Sequence, residues 1–324
     1  MSSTILLSIC VTTRNRKRYL LEFLNQFTTL ECDVLEVVVT DASDDGLNLN
    51  LHELELFSSM GVHFNYFEIS DSSGYDEDMN LAVTRARGDF VWPISDDDAI
   101  SLDYLSQVIE ELHLNLGKNI FIFNAQIFDS NMSNILIHKH IDFKNKSREN
   151  LSLQLLYNNF INELSFTGVA IIKRSFWISL DRSYLFNSLF ITTGVIFTTK
   201  RDIDVCCIDI PLVKMRFGNA SWTANYMKIW IDTWPSFLNS LNFSSYDNTK
   251  IGVLVWLKKC LIFKSLDVFN IKKVFLLKNV PLSFKLLSLI FILIPRFLLV
   301  AVLKLILPKQ SLIYLEITSD PILP

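Results

Sequence analysis

Three consecutive carboxylates, Asp96, Asp97 and Asp98, follow a short apolar run at residues 90–94. Adjacent acids repel one another, so they are stable mainly where water solvates them or where a cation offsets their charge. The apolar run is typical of a buried strand, and strand ends in an open α/β sheet face the ligand crevice. Carboxylate oxygens there suit Mg²⁺ or Mn²⁺, which also bind substrate phosphates. The triplet indicates either such a metal site or the solvated charge of a surface loop.

The elements that position the triplet alternate between strand and helix. Short β-branched apolar runs predict strands, and apolar residues at helical spacing predict the helices between them. This alternation indicates an α/β fold with a doubly wound parallel sheet. The predicted strands are 4–11, 34–40, 62–69, 90–94, 119–128, 169–172 and 195–197, and the predicted helices are 19–27, 51–60, 78–87 and 102–116.

Four segments, each at a predicted strand end, resemble the nucleotide-sugar domain of glycosyltransferase family 2, which has the GT-A fold. The four segments are residues 8–16, 36–46, 74–89 and 95–98. Thr13, Asn15 and Arg16 match the opening motif of the family, whereas Thr12 and Arg14 replace its usual Pro and Tyr. Four matches in the right order indicate the family more strongly than any one of them.

The last two segments are also similar to the abequosyltransferase-like branch, which transfers deoxysugars in bacterial O-antigen or capsule assembly. A later stretch, residues 216–222, resembles the R-x-G-N-x-S-W signature of that branch. The resemblance covers about residues 5–235. It implies a mixed, mostly parallel GT-A sheet flanked by helices. The implied domains are 1–235 for the transferase, with 1–100 as the nucleotide-sugar half and 101–235 as the acceptor half, and 236–324 for a helical membrane-associating region.

The resemblance implies a metal-dependent, inverting transfer of a sugar, such as a deoxyhexose, from a nucleoside-diphosphate donor. The implied acceptor is an oligosaccharide on a polyprenyl diphosphate lipid, and the implied cofactor is Mg²⁺ or Mn²⁺. A sugar-nucleotide pyrophosphorylase is disfavoured because residues 12–18, after the first strand, contain no glycine. A degenerate copy that binds nucleotide sugar, or that is a scaffold in a polysaccharide assembly complex, stays an alternative.

Residue roles also follow from the resemblance, position by position. Asp96 and Asp98 would hold the metal, with Asp96 and Asp97 close to the donor. Asp41, at the end of the second predicted strand, would accept a hydrogen bond from the base or ribose, or would instead start a turn. The other donor-binding candidates are Thr13, Asn15, Gly74, Asp76, Asp78, Arg216, Asn219 and Trp222. The two acids after the glycine fit helix capping equally well, and the tryptophan could instead fill the core.

An inverting transfer also needs a general base to deprotonate the acceptor hydroxyl. Residues 185–198, where an acid is expected from relatives, contain neither an acid nor a histidine. Glu163 precedes a Ser-Phe-Thr-Gly stretch that is a plausible acceptor-side loop, so it is the first candidate. Asp181 and Asp202 are the alternatives.

Charge is distributed unevenly along the 324 residues. Residues 251–310 contain ten Lys or Arg and one acid, whereas residues 1–250 contain twenty Lys or Arg and thirty-one acids. Residues 286–307 are almost wholly apolar, but Pro295 and Arg296 interrupt them where a charge in a bilayer is costly. We therefore expect a kinked helical region that lies on the cytoplasmic face of the bacterial inner membrane, peripheral or monotopic, with a true span as the alternative.

The remaining composition narrows the class of protein. The five cysteines show no C-x-x-C or zinc spacing, which predicts reduced thiols in a cytoplasmic setting. The N-terminus lacks a basic segment and a cleavage site, which predicts a first strand and not a signal peptide. The basic region is interleaved with aliphatic residues and has no base-stacking pattern, so no nucleic-acid partner is expected.

Overall fold

The computed structural model describes residues 4–46, 51–59, 61–72, 74–143, 152–198, 203–217, 225–241, 243, 252–265, 269–295, 297–298 and 301. The described strands are β1 Leu7–Thr13, β2 Glu31–Asp41, β3 Gly61–Glu68, β4 Phe90–Ser95, β5 Ala99–Ile100, β6 Ile120–Phe128, β7 Ile135–Ile137, β8 Ala170–Lys173 and β9 Val205–Arg216. The described helices are α1 Lys17–Asn25, α2 Leu51–Ser58, α3 Tyr75–Arg85, α4 Leu105–Leu114, α5 Leu153–Phe160, α6 Arg174–Ser179, α7 Ile191–Phe197, α8 Tyr226–Lys228, α9 Trp234–Ser240, α10 Val253–Ser265, α11 Ile271–Leu276, α12 Leu282–Leu287 and α13 Ile290–Leu293.

The chain divides into two compact units. The first contains residues 1–127 and 138–216, and the second contains residues 128–137 and 217–324. The first unit holds the α/β sheet, and the second is mainly helical. The expected functional division after residue 235 stays a prediction.

A mixed sheet in the order β3-β2-β1-β4-β8-β6-β9-β5 forms the centre of the first unit. β1 pairs in parallel with β2 and β4, and β2 pairs in parallel with β3. β8 pairs antiparallel with β4 and β6, and β5 pairs antiparallel with β9. The sheet is mixed as expected, but parallel pairing is established only for the half built from β1 to β4.

The strands at the centre of the sheet are buried on both faces. β1 and β4 contain no exposed residue, which explains why both read as continuous apolar runs and not as alternating ones. The indole Nε1 of Trp92, in β4, donates to the carbonyl oxygen of Gly168 at 2.8 Å. These buried strands fix the polar residues that follow them at one edge of the sheet.

A buried carboxylate, Glu36 in β2, ties together several segments away from that edge. It accepts hydrogen bonds from the Ser8 hydroxyl at 2.5 Å and from the Asn65 amide at 2.8 Å. Arg87 donates to it through its backbone N–H at 2.8 Å and its Nε at 2.7 Å. Gly88 donates its N–H to the Ser8 hydroxyl at 2.9 Å, so the turn after α3 closes directly onto β1.

In the later part of the first unit, one strand prediction is wrong and one strand was not predicted. Residues 195–197 belong to helix α7, in which every residue is buried. A short apolar run does not distinguish a buried helix from a buried strand, which explains the error. β9 is not among the predicted strands, and it contains Pro211, a residue that is rare inside strands.

The second unit has a hydrophobic core of its own. Its fully buried members come from the π-helical turn Ile229–Thr233 and from α8, α10, α11 and α13, with the loop after α11. Trp256 is fully buried and donates to the Ser288 hydroxyl at 2.9 Å. Asp232 accepts backbone N–H bonds from Lys278 at 2.7 Å and Asn279 at 2.9 Å. The helices of this unit are therefore fixed by packing and by polar contacts to loops.

Within the described residues, none of the helices combines the length and the apolar character needed to cross a bilayer. The predicted segment 286–307 is described up to residue 295 and at 297, 298 and 301, and the rest of it lies outside the described residues. The expected membrane surface therefore stays a prediction.

Candidate functional site

The ends of three strands meet at one edge of the sheet in the first unit. In the pairing of β1 with β2, Thr13 lies opposite Asp41, and in the pairing of β1 with β4, Thr12 lies opposite Ser95. Asp96 is the next residue along the chain, so the acidic triplet begins level with Thr13. The register thus brings Thr13, Asp41 and the triplet to the carboxyl ends of parallel strands, where such folds bind ligands.

One arginine bridges the first two acids of the triplet. Asp96 accepts a hydrogen bond from the Thr13 hydroxyl at 2.7 Å and lies 2.9 Å from Nη1 of Arg16. Asp97 lies 2.6 Å from Nη2 of the same guanidinium and also accepts a short hydrogen bond from the Ser95 hydroxyl. Both carboxylates are almost fully buried, so Arg16 supplies the positive charge that their burial requires.

The third acid is left partly unsatisfied. Oδ1 of Asp98 accepts the backbone N–H of Arg216 at 2.9 Å. Oδ2 is buried and has no hydrogen-bond partner among the described residues, and the residue is only 5% exposed. Burial and the neighbouring charges of Asp97 and Asp96 raise the pKa of Asp98 well above its usual range. The nearby charge of Arg216 acts in the opposite direction but is outweighed. Burial likewise raises the pKa of Asp96 to about 6.

The donor atoms suit a divalent cation, although they do not form a complete site. Among the described residues, no group of three or more His, Cys, Asp or Glu side chains converges on a common position. The partnerless oxygen of Asp98 is a hard ligand of the kind that Mg²⁺ and Mn²⁺ prefer. Asp96, the second predicted ligand, is engaged by Arg16. The residues thus fit a cation at Asp98 directly, and at Asp96 once its ion pair opens.

Arg216 reaches the triplet from the end of β9, which pairs with β5 directly after the acids. Its Nε donates to the carbonyl oxygen of Asp97 at 2.8 Å, and its Nη2 lies 2.8 Å from Glu22 in α1. Its guanidinium lies over the ring of Tyr19, 5.2 Å from the centroid. These contacts orient the side chain beside the triplet, and its predicted contact with a donor phosphate stays a prediction.

Asp41 begins the turn that follows β2. Its Oδ1 accepts the N–H of Ser43 at 2.9 Å and the Ser43 hydroxyl at 2.5 Å, which is an Asx turn. Its Oδ2 accepts the Tyr66 hydroxyl at 2.5 Å. Burial, the hydrogen bond and the charge of Asp41 raise the pKa of Tyr66. Asp41 therefore starts this turn. A hydrogen bond from the donor to its carboxylate would have to be made in addition to these three.

Asn15 joins the loop after β1 to the turn after β2. Its φ of +56° lies in the left-handed region, which Asn tolerates better than most residues. Its N–H donates to the Ser43 hydroxyl at 2.8 Å, and its side-chain amide donates to Asp44 at 2.8 Å. The two loops therefore form one polar rim beside Thr13.

Gly74 immediately precedes helix α3. Its φ of +133° is open to glycine but rarely to other residues, so the entry into the helix depends on it. Asp78, in the first turn, accepts the hydroxyl of Ser72 at 2.7 Å. Burial raises the pKa of Asp78. Both residues thus shape the loop before α3, and their donor contacts stay predictions.

Asp76 is buried, and its carboxylate binds a segment that is distant in sequence. It accepts backbone N–H bonds from Leu189 at 2.8 Å and Ile191 at 3.0 Å, and a longer bond from the Ser188 hydroxyl at 3.4 Å. Burial raises the pKa of Asp76 to about 6. The residue therefore fixes the start of α7 and does not cap its own helix.

Glu163 begins the 3₁₀ turn Glu163–Ser165 and is half-buried. Four residues later, the hydroxyl of Thr167 lies 3.0 Å from that of Tyr75. Burial raises the pKa of Tyr75, and the charge of Asp98 contributes to the rise. The loop after Glu163 is therefore in contact with the first residue of α3. The assignment of Glu163 as the base stays a prediction.

The structure gives less information about the remaining candidate residues. Asp181 lies on an exposed turn, where it accepts the N–H of Ser183 at 3.0 Å and its hydroxyl at 2.8 Å. Asp202, Asn219 and Trp222 lie outside the described residues.

Three residues of the site were not assigned a role from the sequence. Arg16 bridges two acids of the triplet, and its guanidinium lies 4.6 Å from the ring centroid of Tyr19. Glu22 orients Arg216. Arg16 stands in the recognised opening motif, so its importance was detectable. Tyr19 and Glu22 share a face of α1 because they are three residues apart, but only the folded chain shows what that face contacts.

Comparison with known proteins identifies the family of this chain. The sequence profile of glycosyl transferase family 2 matches residues 8–180, which is more than half of the chain. The chain belongs to glycosyl transferase family 2. It is also 26% identical, over 246 residues, to abequosyltransferase RfbV of Salmonella typhimurium strain LT2, covering 67% of this chain and 68% of that protein. The family recognised from the four sequence segments, with its abequosyltransferase-like character, is confirmed.

Solved structures support the same fold. Residues 1–349 of S. aureus TarS, crystallised in complex with UDP, align with a TM-score of 0.51 at 16% identity, covering 84% of this chain and 83% of that one. The complex of the same TarS fragment with UDP-GlcNAc aligns with a TM-score of 0.53 at 16% identity, covering 84% of each chain. At this identity the likeness shows the fold alone, and it confirms a mixed α/β sheet flanked by helices.

Proposed function

We propose that this glycosyltransferase moves a sugar, such as a deoxyhexose, from a nucleoside diphosphate to a lipid-linked oligosaccharide during surface polysaccharide synthesis, with inversion at the anomeric carbon. The similarity to an abequosyltransferase supports the deoxysugar and the pathway class. The similarity to TarS structures solved with UDP and UDP-GlcNAc supports a nucleotide-sugar donor. The observation that carries the proposal is the buried carboxylate oxygen of Asp98, which has no hydrogen-bond partner in the part of the chain that the structure describes and lies where the parallel strands end.

In this proposal the residues at the strand ends have two roles, binding the metal and binding the donor. Asp98 and Asp96 hold a divalent cation, which when bound neutralises the departing nucleoside diphosphate. The rim of Thr13, Asn15 and Asp41 lies beside them and contacts the base and ribose of the donor. Arg216, Asp97, Gly74, Asp76 and Asp78 complete or shape the donor site, with Asn219 and Trp222 as further donor contacts.

The acceptor side of the site is assigned to Glu163. Its carboxylate would take the proton of the acceptor hydroxyl as that oxygen attacks the anomeric carbon. The half-buried position of Glu163 and the contact of its loop with Tyr75 support this assignment. We expect Glu163→Gln to abolish transfer of labelled sugar to membrane lipid while leaving donor affinity unchanged. Asp181→Asn should change neither the transfer nor the donor affinity. Full transfer by Glu163→Gln would exclude this base.

The donor site can be tested by calorimetric titration with UDP, GDP, CDP and dTDP, each with and without Mn²⁺. We expect one nucleotide to bind in a Mn²⁺-dependent manner and Asp98→Asn to lose that binding. Asp103→Asn is the matched control, because it removes a nearby exposed carboxylate. Absence of binding to any of the four by folded protein would refute the proposal. Binding without transfer would favour the degenerate, scaffolding alternative.

We also propose that the second unit places the enzyme on the cytoplasmic face of the inner membrane, peripheral or monotopic, where a polyprenyl diphosphate acceptor would lie. Large apolar side chains are exposed from α11 onward, in a stretch of sequence rich in lysine. They are Phe275, Leu276, Leu282, Leu286, Leu287, Leu289, Ile290, Ile292, Leu293, Phe297 and Leu298. Exposed apolar groups among basic residues suit the interface of an anionic bilayer.

The membrane proposal can be tested by co-sedimentation with vesicles. We expect the protein to bind phosphatidylglycerol-containing vesicles more strongly than phosphatidylcholine vesicles, and salt to weaken the binding. Leu293→Glu, at an 82% exposed position, should reduce the binding. Leu114→Glu, at a 73% exposed position in the first unit, is the matched control and should not. Equal binding by wild type and Leu293→Glu would count against this surface.

A further inference from the structure

Arg16 is the only cation seen between Asp96 and Asp97 in the described part of the chain, and its side chain is held by both carboxylates and by an aromatic ring. Its side chain is 16% exposed, and those of the two aspartates are 3% and 7% exposed. The ring of Tyr19 lies under its guanidinium, 4.6 Å from the centroid. A planar, always charged fork of this kind can hold two carboxylates at once.

This contact uses oxygens that the proposed cation also needs. Thr13 occupies Oδ2 of Asp96, and Arg16 occupies Oδ1. Ser95 and Arg16 likewise take one oxygen each of Asp97. A divalent ion bound to Asp96 would lie within a few ångström of the guanidinium, and two positive charges that close repel one another. Arg16 and the metal therefore compete for the same carboxylate.

We propose that Arg16 is a tethered counter-cation that holds Asp96 and Asp97 before the donor binds and moves to the donor diphosphate when the metal takes the carboxylates. This inference rests on the proposed donor site and adds a positioning residue to it. Its consequence is coupling. The diphosphate gives Arg16 a new partner, so nucleotide and metal should each strengthen the binding of the other. The metal would also contact the diphosphate directly, so the share of this enhancement that belongs to Arg16 is the share lost when Arg16 is replaced. A purely structural ion pair would contribute no such share.

The test is a titration with Mn²⁺ alone, in which the signal of free Mn²⁺ is followed by electron paramagnetic resonance. All titrations are made at one pH, about 8, so that competition from protons is the same condition for every protein. We expect Arg16→Gln to bind Mn²⁺ at least about tenfold more tightly than wild type, because a nearby positive charge is gone. Arg18→Gln is the matched control, because it removes the same charge from the 81% exposed side chain two residues away, and it should leave the affinity unchanged.

A second variant guards against misfolding. Arg16→Lys keeps the charge but lacks the planar fork, so we expect a smaller increase in Mn²⁺ affinity and a melting temperature near that of wild type. Repeating the titration with UDP, GDP, CDP and dTDP should show that the mutual enhancement of Mn²⁺ and nucleotide binding shrinks in both Arg16 variants.

Three outcomes would overturn the inference. The first is Mn²⁺ binding by folded Arg16→Gln that is no tighter than that of wild type; if this variant does not fold, Arg16→Lys takes its place. The second is the absence of Mn²⁺ binding in wild type and variants alike. The third is a mutual enhancement of Mn²⁺ and nucleotide binding that is equal in all three proteins. The proposed function fails separately, if wild type with Mn²⁺ binds none of the four nucleotides. Nucleotide binding that is unaffected by Arg16 would leave the function standing and remove only this inference.

Discussion

Asp76 allows a prediction in which the sign of a pH effect, and not only its size, follows from the structure. Asp76→Ala would leave the N–H groups of Leu189 and Ile191 without their acceptor, at a cost of about 1–3 kcal/mol each. Even with these bonds in place, burial raises the pKa of the Asp76 carboxyl from 3.8 to about 6, so the folded protein favours its protonated form by about 3 kcal/mol. Near neutral pH, where the group is ionised, the stability that Asp76 contributes is therefore smaller than at lower pH.

The balance changes below the raised pKa. Between the unfolded value of 3.8 and the folded value of about 6, the folded protein binds more protons at Asp76 than the unfolded chain does. Stability contributed by this group therefore falls as pH rises through that window and returns as pH falls. At about pH 5 wild type should regain about 1.4 kcal/mol relative to about pH 7.5, whereas Asp76→Ala cannot. The gap in unfolding free energy should widen by that amount.

Urea unfolding of both proteins, followed by tryptophan fluorescence at these two pH values, measures the gap. Asp181→Ala is the control. The pKa of Asp181 is lowered by hydrogen bonds from Ser183, so its titration lies below 3.8 and its gap should stay flat over this range. A gap for Asp76→Ala that stays constant or narrows towards pH 5 would refute the reasoning, because Asp76 would then not be a buried, proton-binding group.

Two further predictions concern other parts of the first unit. A Cβ at position 88 would lie 2.7 Å from the Ser8 hydroxyl and 2.8 Å from its backbone nitrogen, so Gly88→Ala should lower the unfolding free energy by about 1–3 kcal/mol in urea titrations. Gly117→Ala, which meets nothing within 4 Å, should not. Calorimetry should show the Mn²⁺ affinity of wild type rising from about pH 5 to about pH 7, because Asp96, with its pKa of about 6, must lose a proton to bind the ion. A flat profile would contradict this.

The parallel half of the sheet could be predicted because its signals are local. β1, β2 and β4 are apolar runs bounded by polar turns, and strands that alternate with helices pair in parallel. Once they do, the register places Thr13, Asp41 and Asp96 at one edge, since each directly ends or follows a strand. Sequence reasoning could therefore locate the candidate site without knowing a single side-chain contact.

What could not be predicted depends on partners that are distant in sequence. Asp76 looked like a helix cap or a donor ligand, yet the N–H groups that donate to its carboxylate lie 113 and 115 residues away, at Leu189 and Ile191. Gly88 directly follows the helix predicted over 78–87 and looked like the residue that stops it. In fact α3 ends at Arg85, and among the described glycines only Gly46 and Gly74 have positive φ. Close packing on β1, and not a left-handed turn, is what requires a glycine at position 88.

The acidic triplet shows why adjacency in sequence does not determine chemistry. Three identical side chains stand in a row, yet their environments differ. Asp96 and Asp97 share Arg16, 80 and 81 residues earlier, whereas within the described residues the carboxylate of Asp98 accepts a single hydrogen bond, from the backbone N–H of Arg216. A D-x-D pattern identifies the oxygens that a metal could use, but it does not identify the cation already beside them. Because the residue just before α1 supplies that cation, the affinity of the triplet for metal is a property of the fold. A search for metal sites that counts ligands and ignores their resident partners would therefore overestimate how readily this triplet binds an ion.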